Sequence, residues 1–165
     1  VIAFRYSYYL LGYNEDPARR VSLRYLNLTP EEEAVDKATL YAGRLEATLC
    51  RAAGSRQHVY VVAPVPEIGV DVPRIVSRQL MTGNNSAFPQ LSLDDYAARQ
   101  KVVLAALQRA AARCNFTLLD PTTHLCSGRA CQGVSEGVPL YADDDHLGGA
   151  GNAYISPLFA PVFAQ

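Results

Sequence analysis

Pro139-Leu140-Tyr141-Ala142-Asp143-Asp144-Asp145-His146-Leu147-Gly148-Gly149-Ala150-Gly151 is the stretch on which the rest of the chain depends. A short apolar run stops in three consecutive carboxylates, a histidine follows, and glycines and small residues open a terminal helix. Adjacent carboxylates repel one another, so packing gives little reason to gather three of them beside an imidazole. A base that works near neutral pH, with a carboxylate to orient it, does give one. Asp143 and His146 are three apart. In a turn entering a helix, that spacing lets a carboxylate oxygen reach imidazole Nδ1 and leaves Nε2 to take a proton from a hydroxyl. The competing structural reading is an acidic helix cap followed by a surface histidine. A calcium loop is not matched, because its ligands alternate along the chain and include a Gly and a distal Glu. Asp144 and Asp145 have no catalytic role that spacing alone supplies; holding the loop through backbone N–H groups or capping the helix are the readings open to them.

Four cysteines are present. Cys126 and Cys131 enclose Ser127-Gly128-Arg129-Ala130, a short polar loop suited to a small disulfide, and disulfides belong to oxidising compartments. His124-x-Cys126 followed by Cys131 is not a structural zinc spacing and offers no fourth ligand, so neither a metal nor a cofactor is expected. Cys50 and Cys114 each fall late in a predicted helix; a bridge between them and two separate buried thiols both fit.

Periodicity orders the remaining chain. Val1 to Tyr6 reads as a short buried strand, His58 to Pro64 as a second strand apolar on both faces as in a covered parallel sheet, and Phe116 to Pro121 as a third strand and its exit. Thr29-Pro30-x-Glu32 is a capping box opening a helix that runs to Gly54 on Ala34, Ala38, Tyr41, Leu45 and Leu49. Val72 to Met81 reads as a short helix. Ser92-x-x-Asp95 caps a longer one to Arg113, with Leu93, Tyr96, Ala97, Leu104, Leu107 and Ala111 inward and Arg99, Lys101, Arg109 and Arg113 on a solvated face. Ile155 to Phe163, with Pro157 and Pro161, reads as a broken terminal helix. Alternation of strand and helix implies right-handed crossovers and a three-layer α/β/α sandwich with a parallel sheet. Ser7 to Tyr13 is dense in tyrosine, either a packing cluster or the wall of a cleft at a strand's carboxyl end. Arg5, inside the first apolar run, needs a partner unless it lies at a surface edge; the Asp143–Asp145 cluster is one candidate. Asn14 to Leu28, with the basic pair Arg19-Arg20, reads as a solvated loop or hairpin.

Asp143-x-x-His146 after Leu140-Tyr141 resembles the last sequence block of the SGNH (GDSL-like) hydrolases and acyltransferases. The longer string from Cys126 through Cys131, Gly137-Val138-Pro139-Leu140-Tyr141 and Asp143 to Leu147 is closer to the periplasmic SGNH domain fused behind membrane acyltransferase family 3 proteins. Val1 to Leu10 is similar to a strand-plus-aromatic segment of that family. The resemblance implies a serine-dependent carbohydrate O-acyl transferase or esterase, acting on lipopolysaccharide, peptidoglycan or an exopolysaccharide. It implies His146 as general base and Asp143 as its orienting carboxylate. Gly12-Tyr13-Asn14 echoes the family's Gly-x-Asn-Asp block, which would make Asn14 an oxyanion donor. It also implies a periplasmic or cell-envelope location, tethered to the inner membrane through the acyltransferase domain.

The family's nucleophile lies in Gly-Asp-Ser, and none of the nine serines here has that context. Residues 1–165 are therefore expected to be the C-terminal portion of one SGNH-like domain, with the first strands and the nucleophile on a segment outside this chain. The start in an apolar run without Met agrees with that. The alternative is a catalytically inactive module that binds a glycan or a protein. A net charge of −1 with mixed signs gives no electrostatic case for nucleic acid. No window reaches the apolar length of a membrane span.

Overall fold

A computed structural model describes residues 1–14, 16, 25–54, 58–84 and 86–164. Its helices and strands in chain order are α1 (Tyr6–Leu11), α2 (Pro30–Glu33), α3 (Lys37–Gly54), β1 (Tyr60–Val62), α4 (Val72–Thr82), β2 (Gln90–Ser92), α5 (Leu93–Arg113) and β3 (Thr117–Leu119). There follow α6 (Thr122–Leu125), β4 (Cys126–Ser127), β5 (Ala130–Gln132), β6 (Val134–Ser135), β7 (Val138–Pro139), α7 (Gly149–Tyr154), a 3₁₀ turn (Ser156–Phe159) and α8 (Ala160–Phe163). The chain forms two compact units, Val1–Pro64 with Arg99–Leu119, and Val65–Ala98 with Asp120–Gln165.

In the first unit β1 pairs in parallel with β3, Val61 opposite Leu118. This parallel pairing across intervening helices is the α/β arrangement that the strand–helix order predicts. Ile2 joins the other side of β1 through a parallel bridge to Val61, with Ile2 N donating to Tyr60 O at 2.7 Å and Val62 N to Ile2 O at 2.8 Å. The expected strand Val1–Tyr6 is confined to that bridge, because the chain turns into α1 at Tyr6. Tertiary contacts override the β-forming side chains: the buried Tyr6 hydroxyl donates to Val62 O at 2.8 Å, and Tyr41 donates to Tyr6 O at 2.7 Å. Gly12, at φ 83°, ends α1 with its N–H on Tyr8 O.

The capping box at Thr29 and Glu32 forms as expected, with Glu32 N on Thr29 Oγ1 at 3.3 Å and Thr29 N on Glu32 Oε2 at 3.0 Å. The single helix expected from there to Gly54 is two. Asp36 accepts the N–H groups of Ala38 and Thr39 at 2.9 and 3.1 Å and so caps α3 afresh. Tyr41, Ala42, Leu45 and Leu49 of α3 meet Val103, Ala106, Leu107 and Ala110 of α5 and Val59, Val61 and Ala63 in one core. Each fully buried leucine of this kind contributes about 1.5–3 kcal/mol. The buried stripe of α5 is rotated from the expected one: Ala97 is exposed, and Gln100 takes a core position at 1% exposure. A polar residue in the stripe masked its register; Gln100 is accommodated by donating to Ser7 Oγ at 3.0 Å. Arg99 likewise donates to Gly12 O at 2.8 Å instead of facing solvent alone. Cys50 and Cys114 are disulfide-bonded across the ends of α3 and α5, and Arg109 pairs with Glu46 at 2.6 Å. Most of the expected loop from Asn14 to Leu28, with Arg19 and Arg20, lies outside the described residues.

In the second unit Asp71 caps α4 through Arg74 N at 3.0 Å, and Gly83 in the left-handed region ends it. Antiparallel strands run in the order β2-β5-β4, and β6 pairs with β7. Val72 and Val76 of α4 pack with Ile68, Leu125, Val134, Leu140, Tyr141 and Ile155 in a second core. The broken terminal helix is present as α7, the 3₁₀ turn and α8.

Candidate active site

The Asp-x-x-His segment is a closed loop. Tyr141 and Leu147 form an antiparallel bridge, Ala142 N donates to His146 O at 2.8 Å, and Gly148 N donates to Leu140 O at 2.9 Å. His146 thus stands before α7, which is capped at Gly148, and not within the helix's first turn. Two apolar anchors, Leu140 and Tyr141, are each 2% exposed. The Tyr141 hydroxyl donates to Pro66 O at 2.8 Å. Burial chiefly, then the charges of Tyr96, Asp145 and Glu67, holds its proton far above the ordinary phenol range, so it remains a neutral donor. Gly69 N and Val72 N donate to the carbonyls of Asp144 and Asp143 at 3.1 and 3.2 Å. The segment from Pro66 to the start of α4 therefore holds the acidic turn by the Tyr141 side chain and by the backbone carbonyls of Asp143 and Asp144.

Within the turn, Asp143 Oδ1 accepts the N–H groups of Asp145 at 2.9 Å and His146 at 2.7 Å, which aims Oδ2 at His146 Nδ1, 2.8 Å away. Burial pushes the Asp143 carboxyl up, but those two N–H donors together with the ring's hydrogen bond and charge outweigh it, and the net shift is downward. An ionised acceptor on Nδ1 assigns the ring proton to that nitrogen and leaves Nε2 as the basic one. The histidine side chain is 69% exposed, so its ring is open to solvent. Asp145 Oδ1 lies 2.7 Å from the same Nδ1, on a side chain only 3% exposed.

The structure brings together Asp143, Asp145 and His146, whose ligand-type atoms lie within 4.8 Å of one another. Their shared engagement with Nδ1 accounts for that proximity. Cys126 and Cys131 are disulfide-bonded directly across the β4–β5 pair, so those sulfurs are withdrawn from metal binding. His124 is half-buried with Nδ1 3.0 Å from Thr123 Oγ1. Arg5 and Asn14 belong to the first unit. Arg5 precedes α1, its guanidinium 5.2 Å from the Tyr8 ring and 5.9 Å from Tyr13. Asn14 lies in a half-buried bend beyond α1. Sequence reasoning missed Asp145 and the grip of the Pro66–Val72 loop. The improbability of three fully solvated adjacent carboxylates was the available signal for the first; nothing in Val65-Pro66-Glu67-Ile68-Gly69 announced the second.

A family model described as SGNH domain (fused to AT3 domains) matches residues 1–161. The chain belongs to this SGNH family. Its members are hydrolase- and acyltransferase-like domains, and the parallel α/β fold agrees with that membership. No curated protein and no solved structure matches the chain. Among the described residues of this SGNH chain no helix is long and apolar enough to cross a membrane.

Proposed function

We propose that this SGNH chain supplies the acid–base half of a Ser-His-Asp triad in a carbohydrate O-acyl transferase or esterase, with O-acetyl as the group transferred and a cell-envelope glycan as the acceptor. The observation that carries the reading is the Asp143 carboxylate, aimed by two backbone N–H groups, on Nδ1 of an exposed imidazole. The serine belongs to a Gly-Asp-Ser segment outside these 165 residues, so that the chain is the later part of one domain, and the membrane AT3 domain of the same polypeptide delivers the acyl group. Nε2 takes the proton from the serine hydroxyl as its oxygen attacks the acyl carbonyl, and the resulting imidazolium returns it to the leaving group. A sugar hydroxyl or water then attacks the acyl-serine with Nε2 again as base. Asn14 as an oxyanion donor and Arg5 as a substrate contact belong to the same proposal.

The test is labelling by a fluorophosphonate in the polypeptide that includes the Gly-Asp-Ser segment, together with acetyl-ester turnover. Labelling of that serine, with His146→Ala costing about a thousand-fold or more in kcat, is the expected result. A protein that binds a glycan but neither labels nor turns over acetyl esters would instead be the inactive binding module.

A further inference from the structure

We infer that Asp145 is a second, buried positioning carboxylate for His146: Asp143 orients the ring, and Asp145 supplies the negative charge against which the imidazolium forms. The inference rests on the triad reading above and divides its carboxylate function between two residues. Asp143 holds the ring's hydrogen bond, but its side chain is 43% exposed, and one of its oxygens is occupied by two backbone N–H groups. Water screens a charge in that position. Asp145 approaches the same nitrogen at 2.7 Å with a side chain 3% exposed. Its residue neighbour Tyr141 is among the most buried side chains of the second core. In such surroundings a carboxylate acts on a developing cation more strongly than one in water at equal distance. When Nε2 accepts the serine proton, both ring nitrogens carry hydrogen. The Nδ1 proton stays on the ring, and the new positive charge is met by Asp145 without any movement of the turn.

Among the described residues, titratable groups near the turn include Glu67 on the loop after β1, Asp71 at the start of α4, Tyr96 on α5, Tyr141, and Asp143 and Asp144 within the turn itself. Tyr96 and Tyr141 stay neutral, both held up principally by burial. Glu67, 3% exposed, is the other deeply buried carboxylate whose charge is felt at Tyr141. It is therefore the control for a diffuse acidic field as opposed to direct contact.

Nitrogen-detected NMR titration of the three histidines reads the effect in this chain without any turnover. Asp145→Asn is expected to lower the His146 titration midpoint by about one pH unit, leaving His58 and His124 in place. Asp145→Glu should return part of the shift, and Glu67→Gln should produce a smaller one. In the serine-bearing polypeptide the acid limb of kcat/KM should move by the same amount. An unmoved His146 midpoint in Asp145→Asn, or an equal shift from Glu67→Gln, overturns the inference. If His146→Ala leaves serine labelling intact, the triad reading fails while the charge on Nδ1 is still measured. If His146→Ala abolishes labelling and Asp145→Asn moves nothing, only the inference fails.

Discussion

At the residue scale the chemistry comes down to which nitrogen holds the ring proton. Asp143 answers that with one oxygen on two backbone N–H groups and the other on Nδ1. Asp143→Asn keeps the shape but can present an N–H to Nδ1, which favours the wrong tautomer. A loss of ~10²- to 10⁴-fold in kcat is expected with KM little changed, checked by steady-state hydrolysis of an acetyl ester by the serine-bearing polypeptide. Equal loss in Asp143→Ala and Asp143→Asn would point to tautomer control as the smaller part. The pairing of Asp143 with His146 was legible from spacing, since three residues suffice to close the ring. The partnership of Asp145 was not, because adjacent residues in a regular helix or strand point apart; only the tight turn, with its N–H groups folded onto Asp143, swings both carboxylates to one nitrogen. Tyr41 offers a second measurement. Burial foremost, then the phenolates of Tyr25 and Tyr9, raises it from 10.0 to about 12. A group whose folded value is raised contributes fully below pH 10 and loses its contribution as pH rises through the folded value. Alkaline unfolding of wild type should therefore steepen between pH 10 and about 12, and Tyr41→Phe should flatten that limb, as followed by circular dichroism.

At the element scale α7 sets how closely the terminal helix lies under the acidic turn. Gly151 is buried, and a Cβ there would collide with the carbonyl oxygen of Leu140 and press on Leu147. Leu140 and Leu147 flank the acidic turn, so Gly151→Ala must push that turn or the helix aside. A cost of about 1–3 kcal/mol is expected, read as a lower Tm, together with reduced activity; a variant with unchanged Tm would show that the helix slides without resistance. Elements with local chemical signatures were legible beforehand. Thr29 and Glu32, Ser92 and Asp95, and the prolines of the terminal helix mark their own positions. Elements set by distant partners were not. Tyr6 starts a helix because Val62 and Tyr41 claim its polar atoms, and Asp36 interrupts a helix whose apolar spacing runs on without a break.

On the scale of the whole molecule two covalent bridges are tied to different parts of the chain. Cys50–Cys114 spans 64 residues and joins the ends of the two long helices of the first core, whereas Cys126–Cys131 spans 5. Loop-closure entropy makes the long bridge worth about 4 kcal/mol and the short one about 2. Urea titration of the Cys50→Ala/Cys114→Ala and Cys126→Ala/Cys131→Ala variants should show that order; a larger loss from the short bridge would mean native-state contacts dominate over chain entropy. The α/β class followed from the order of apolar runs, but the existence of the long bridge did not, since only the packing of α3 on α5 brings its ends within reach. The two bridges also carry a consequence for how the chain matures. Four cysteines can be joined in three ways, and this chain uses the one that links first to second and third to fourth. In an oxidising compartment, an oxidase that joins each cysteine to the next one to emerge would make that pattern with no shuffling. Maturation should then proceed at full yield in cells that lack a disulfide isomerase, and the order of emergence serves as the instruction for the cross-links.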